Sequence, residues 1–140
     1  MTLAELTTDT RERIAEGSSE FFKDSTIKRW LNEAQRYIVR RTKVLERSNT
    51  ITTTPGVSSY ALEKDFWTVH LVRYEDDTLR PLPINVLKDR TVDVFGSPSH
   101  YALWGGGLHL YPTPPESGRL TILYYAWPVD MTDPTDEPEI

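Results

Sequence analysis

The sequence predicts an α+β fold: N-terminal helices, the second one long, followed by an antiparallel β-sheet or small β-sandwich and an extended acidic C-terminal tail. Three observations predict it. Between Ser25 and Arg47 no glycine or proline interrupts the chain, and apolar side chains recur every three or four positions. Past Asn49 the texture becomes β-branched and aromatic, broken by proline and glycine. From Pro128 onward prolines, threonines and acids show no periodicity at all.

Taken in order, residues 2–16 read as a first helix with Leu3, Leu6 and Ile14 as a loose apolar face and Gly17 as its C-terminal stop. Asp24 or Ser25 would cap the second helix by accepting a hydrogen bond from an unpaired backbone N–H. Its apolar face would be Ile27, Trp30, Leu31, Ala34, Tyr37, Ile38 and Leu45. About 22 residues at 1.5 Å each make a rod of about 33 Å. The run Thr50 to Thr54 then opens a β region, and Pro55-Gly56 is a turn. Strands are expected near 58–62, 67–74, 78–83, 99–104, 108–111 and 119–127, with a short helix possible within 84–94. Trp104-Gly105-Gly106-Gly107-Leu108 reads as a hairpin turn, because glycine accepts the positive φ such turns demand. Leu120 to Trp127 is apolar on both faces, which marks a central strand.

Composition narrows the function classes. The chain has 140 residues, 38% of them hydrophobic, and a net charge of −5, which suits one domain with one core. Its expected parts are a helical part, 1–48, a β part, 50–128, and an extended tail, 129–140. Residues 1–50 carry ten Lys/Arg against eight Asp/Glu, whereas residues 51–140 carry six against thirteen. Such an acidic balance is wrong for a general nucleic-acid binder, whose phosphate contacts need surplus cations. No membrane-spanning run and no signal peptide are visible, so no membrane partner is expected. The absence of cysteine removes thiolate chemistry and suits a reducing cytoplasm, where the chain is expected to be made.

No motif with a catalytic mechanism survives. His70, His100 and His109 lack metal-ligand spacing. The glycines at 105–107 are followed by a strand instead of the Lys-Ser/Thr and helix a phosphate cradle needs. Glu75-Asp76-Asp77 reads as a solvated turn. The chain is therefore expected to be no enzyme, with no catalytic residues, cofactor or metal.

One stripe invites a binding role. Arg29, Arg36, Arg40, Lys43 and Arg47 recur at spacings of seven, four, three and four, which gathers them on one face of the second helix. They are candidate partner-binding residues, for an acidic protein neighbour or for DNA. Four tryptophans and seven tyrosines are either core filler or interface anchors. A small ligand-binding module built on Trp67, Trp104 and Trp127 is a third possibility.

The order of segments resembles a known family. Trp30-Leu31-Asn32-Glu33-Ala34-Gln35 is followed by Ser59 to Phe66 and Leu79-Arg80-Pro81-Leu82. Gly96 to Tyr101, Leu108 to Pro114 and Tyr124-Tyr125-Ala126-Trp127-Pro128 complete the series. Together they look like the adaptor, or head-to-tail connector, proteins of tailed bacteriophages. The resemblance implies a structural virion protein at the head–tail junction, in a homo-oligomeric ring of about twelve copies whose head-to-tail contacts close on themselves. It implies a ring docked under the portal protein, tail or nozzle proteins below it, and genomic DNA passing through the channel. Such proteins continue past the acidic segment into a further helix, whereas this sequence ends at Ile140. The packing partner of Trp30 and Tyr37 is accordingly expected from the first helix or a neighbouring copy.

Overall fold

A computed structural model describes residues 1–15, 21–89 and 94–140. The predicted stop at Gly17 lies outside the described residues, as does the end of the 84–94 segment at 90–93. The chain divides into two compact units, one of Met1–Leu45 with Ala126–Ile140 and one of Glu46–Tyr125.

In the first unit, α1 spans Leu3–Arg13. Thr2 caps it reciprocally: its hydroxyl accepts from Glu5 N–H, and the Glu5 carboxylate accepts from Thr2 N–H at 2.8 Å. That backbone donor holds the Glu5 carboxyl below its ordinary pKa. The predicted end at 16 is corrected to Arg13, where Ile14, exposed, forms the C-cap.

Helix α2 spans Asp24–Thr42, so the predicted run to Arg47 is five residues too long. Lys43 ends it in the left-handed region at φ 53°, its N–H still bonded to Val39 O. At the other end Lys23 stands at the cap position with no side-chain bond, so neither Asp24 nor Ser25 caps the helix as expected. Asp24 instead sits in the first turn, where a carboxylate suits the helix dipole, and pairs with Arg11 at 2.6 Å.

The expected apolar face of α2 splits. Ile27 is fully buried and Leu31 half-buried, but the rest of the buried side is Val39, Asn32 and Gln35, which that face did not include. Trp30, Ala34, Tyr37 and Ile38 lie outside it. The two amides explain the exchange, because each holds the backbone of the C-terminal segment on both sides of its side chain. Asn32 Nδ2 donates to Met131 O at 3.1 Å, and Asn32 Oδ1 accepts from Met131 N–H at 2.9 Å. Gln35 Nε2 donates to Val129 O at 3.0 Å, and Gln35 Oε1 accepts from Glu139 N–H at 2.8 Å.

The tail expected to be loose is therefore an ordered segment without helix or strand. Met131 is buried. Asp136 accepts from the N–H groups of Asp133 and Thr132, bonds that hold its carboxyl below its ordinary pKa. The carbonyls of Asp136 and Pro134 receive the first N–H groups of α1, from Leu3 at 2.7 Å and Ala4 at 3.0 Å. Helical N–H groups that have no partner of their own are satisfied by the opposite end of the chain.

The second unit holds two four-stranded sheets. Its strands are β1 (Glu46–Thr52), β2 (Ser59–Ala61), β3 (Phe66–Tyr74), β4 (Asp77–Thr78), β5 (Arg80–Pro81), β6 (His100–Trp104), β7 (Gly107–Tyr111) and β8 (Arg119–Ala126), with helix α3 (Ile84–Asp89) between β5 and β6. One sheet has the order β1-β8-β3-β4 and the other β2-β7-β6-β5. As the apolar run predicts, β8 is central, flanked by β1 and β3. The predicted 78–83 strand is cut at buried Leu79: its N–H bonds to Val72 O in one sheet, and the next N–H, of Arg80, bonds to Ser99 O in the other. The pairs β1 with β8, β2 with β7, β3 with β4 and β6 with β7 are antiparallel, whereas β5 with β6 is parallel. Trp104 and Gly107 pair across the β6–β7 hairpin, and Gly105 and Gly106 take φ of 60° and 72°, as the turn requires.

Beside β8, Asp65 joins two side chains, and a third packs on one of them. Tyr124 donates its phenol to Asp65 Oδ1 at 3.0 Å, Arg47 pairs with the other carboxylate oxygen, and Phe66 packs on the Tyr124 ring at 5.4 Å. Burial first, then the bond to Asp65 and its charge, push the Tyr124 phenol up to about 12. A folded-state value above the unfolded value of about 10 means the neutral phenol favours folding below pH 10. That contribution is lost as pH rises through about 12. Alkaline titration followed by tyrosine absorbance should show the last-ionising group lost in Tyr124→Phe, while Tyr101, which burial also raises, still ionises later than the exposed tyrosines. Persistence of the last-ionising group in that variant would refute the assignment.

Candidate partner-binding surface

The five basic residues singled out above do not form one stripe. Arg29, Arg36 and Arg40, at spacings of seven and four, share a face of α2. Lys43 stands at the left-handed cap where the helix has ended. Arg47 is corrected more strongly: it lies on β1, in the other unit, half-buried and paired with Asp65. The helical period was extended past the point where Val44 and Leu45 turn the chain into a strand.

Carboxylates already answer two of the remaining cations. Arg29 lies 3.8 Å from Glu33, one turn on, and Arg36 Nη2 is 2.5 Å from Asp130 Oδ2. The second carboxylate oxygen of Asp130 is buried with no hydrogen-bond partner among the described residues. Arg40, and Arg41 beside it, are exposed and make no hydrogen bond or ion pair among the described residues. Arg41 falls on the apolar side of the helix, apart from Arg29, Arg36 and Arg40.

That side is the more informative one. Trp30, Ala34, Tyr37, Ile38 and Arg41 follow the spacing i, i+4, i+7, i+8, i+11, the face a helix normally lays on a neighbour. Here it is largely open: Tyr37 is 64% exposed, Ile38 41% and Trp30 36%. Trp30 has one aromatic companion, Phe22, edge-on at 5.0 Å. Aromatic side chains in such positions are the type that anchors interfaces.

Helix α1 presents an acidic counterpart. Opposite buried Leu3, its outer side carries Ala4, Glu5, Thr8, Asp9 and Glu12, which line a shallow hollow of about 350 Å³. Asp9 pairs with Arg13 at 2.8 Å. Arg11 turns the other way, to Phe22 O and Asp24. The Glu12 carboxylate is exposed and has no partner among the described residues. The i, i+4, i+7 spacing of these acids was readable in the sequence. A wider hollow of about 610 Å³ lies between α1 and the start of α2, with Thr7, Arg11, Asp24 and Lys28 at its walls.

Chemistry is sparse elsewhere. Among the described residues no group of three His, Asp or Glu side chains could hold a metal ion. His70 Nδ1 is 3.1 Å from Tyr125 Oη, and His100 Nδ1 is 2.8 Å from the hydroxyl of its neighbour Ser99. Trp104 is 60% exposed with the Lys88 ammonium 5.8 Å from its ring, whereas Trp67 and Trp127 are half-buried. The three tryptophans of a ligand module thus differ in exposure. No described helix is long and apolar enough to cross a membrane.

Comparison with known proteins supplies the remaining finding. The model of one family, described as SU10 adaptor protein, matches residues 1–140. No curated protein matches the chain.

Proposed function

The chain belongs to the SU10 adaptor protein family, and on that premise we propose that it is a head-to-tail adaptor subunit in the virion neck of a tailed phage. Its copies form a ring beneath the portal protein, join the portal to tail or nozzle proteins, and leave a channel for genomic DNA. The family match over all 140 residues carries this reading. The open aromatic face of α2 supports it, because a subunit of this kind needs contact surface in place of a reaction centre. The whole chain acts as one adaptor-like domain, and Arg29, Arg36, Arg40 and Lys43 face a protein neighbour.

The alternative of a nucleic-acid-binding module on the basic face of α2 is weakened by the carboxylates at Glu33 and Asp130, which already occupy Arg29 and Arg36. DNA binding by the purified chain at low salt, lost steeply as salt is raised, would revive it.

Cryo-electron microscopy of virions tests the proposal. Density for a ring of this chain between portal and tail is expected. Virions whose necks contain no copy would end the reading.

A further inference from the structure

We infer that the open face of α2 is the contact that joins one copy of this chain to the next, and that its occupant is the acidic outer face of α1 in a second copy. The inference deepens the ring reading above and rests on it.

The first argument is exposure. A helix face of Trp30, Ala34, Tyr37 and Ile38 left in water forgoes the burial that such side chains normally gain in the protein interior. Its spacing fits a second helix laid along it, with Ala34 permitting close approach between aromatic neighbours.

The second argument is charge, which chooses among occupants. Helix α2 carries five Lys/Arg against two Asp/Glu, a balance of +3. Pairing α2 with the α2 of another copy would bring together two helices that each carry this positive balance, a like-charge juxtaposition. The outer face of α1 is the reverse, with Glu5, Asp9 and Glu12 on one side and Glu12 unanswered. Arg41 on the open face of α2 and the Glu12 carboxylate of α1, each without a partner among the described residues, are complementary. Shape agrees, because Ala4 and Thr8 leave the hollow of about 350 Å³ between the acids, and Trp30 and Tyr37 are the protruding rings that such a hollow receives.

The third argument is symmetry. Two different faces of one unit meet, so the contact is heterologous. Each copy offers α2 to one neighbour and α1 to the other, and a suitable rotation closes the series.

The chain has no cysteine, so cross-links can be placed without background. Thr8→Cys and Ala34→Cys, both at exposed positions, would be combined in one chain and oxidised, in solution and in virions. The expected product is a ladder of covalent multimers that neither single variant makes. Adding Glu12→Arg or Arg41→Glu should lower ladder yield about tenfold, and adding both should restore it. Melting temperatures measured alongside show that each variant folds.

Loss of the ladder in both settings overturns the inference, as do dimers from Ala34→Cys alone, which would mean α2 meets α2. Virions that retain the chain at the neck without a ladder refute this contact and leave the adaptor reading intact. A ladder in solution with empty necks does the opposite.

Discussion

Gly118→Ala is expected to be among the most damaging single substitutions in the β unit. Gly118 is buried immediately before β8, and a Cβ there would overlap the Tyr74 phenol at Oη and Cζ. The tyrosine has little room to yield, being 7% exposed with its hydroxyl 3.5 Å from both Thr53 Oγ1 and Glu116 O. Nor can the glycine retreat. Its N–H donates to Thr53 Oγ1 at 2.9 Å, and its carbonyl accepts from Thr53 N–H at 2.8 Å. Overpacking of this kind costs about 1–3 kcal/mol and can exceed it. A melting temperature lower by about 10 °C is the expected reading for a domain of this size. Tyr74→Leu removes the two shortest contacts and leaves only Glu75 Oε1, 2.9 Å away, so adding Gly118→Ala to Tyr74→Leu should cost much less than it costs the wild type. A Gly118→Ala protein that melts like the wild type would show that the ring moves freely.

The second large effect is expected at Gln35. Truncation to alanine leaves Val129 O and Glu139 N–H without their partners and opens a space at a side chain that is 2% exposed. Orphaned polar groups cost about 1–3 kcal/mol each, reduced where water reaches them. The loss should fall on the helical unit, seen as faster hydrogen exchange at Met131 and Glu139 and as proteolytic cleavage after Pro128. Gln35→Glu provides a sharper comparison. It keeps an acceptor for Glu139 N–H but turns a carboxylate oxygen toward the carbonyl of Val129. Its defect should therefore ease as pH falls and the buried carboxyl takes a proton. Wild-type exchange rates in Gln35→Ala would mean that Asn32 and the Leu3 and Ala4 bonds hold the segment unaided.

These two sites differ in how far the sequence announces them. Gly118 stands in a proline-rich turn before an apolar run, so a glycine there reads as turn chemistry. That it makes room for Tyr74 is a tertiary fact, since 44 residues separate the pair. Asn32 and Gln35 are harder still. A search for apolar periodicity passes over amides, although these two occupy the buried side of α2 and reach partners 94 to 104 positions away.

The same reason accounts for the candidate surface. Arg29, Arg36 and Arg40 were legible as a face because their spacing lies inside a real helix. Lys43 and Arg47 were attached to it by continuing the period beyond Thr42. No glycine or proline marks that end. Lys43 adopts a left-handed conformation that its residue type does not advertise, and Glu46 then pairs with Tyr125 in a strand.

By itself the sequence determined the α+β class, the existence of α2, the positions of most strands, the Gly105-Gly106 hairpin and the central place of β8. All of these rest on local propensity and short periods. Tertiary structure alone decided which side of α2 is buried, where that helix stops, that 78–83 is shared between two sheets, and that residues 128–140 are held in place. Each of those outcomes depends on hydrogen bonds or packing between positions far apart in the chain, and a local pattern carries no record of a distant partner.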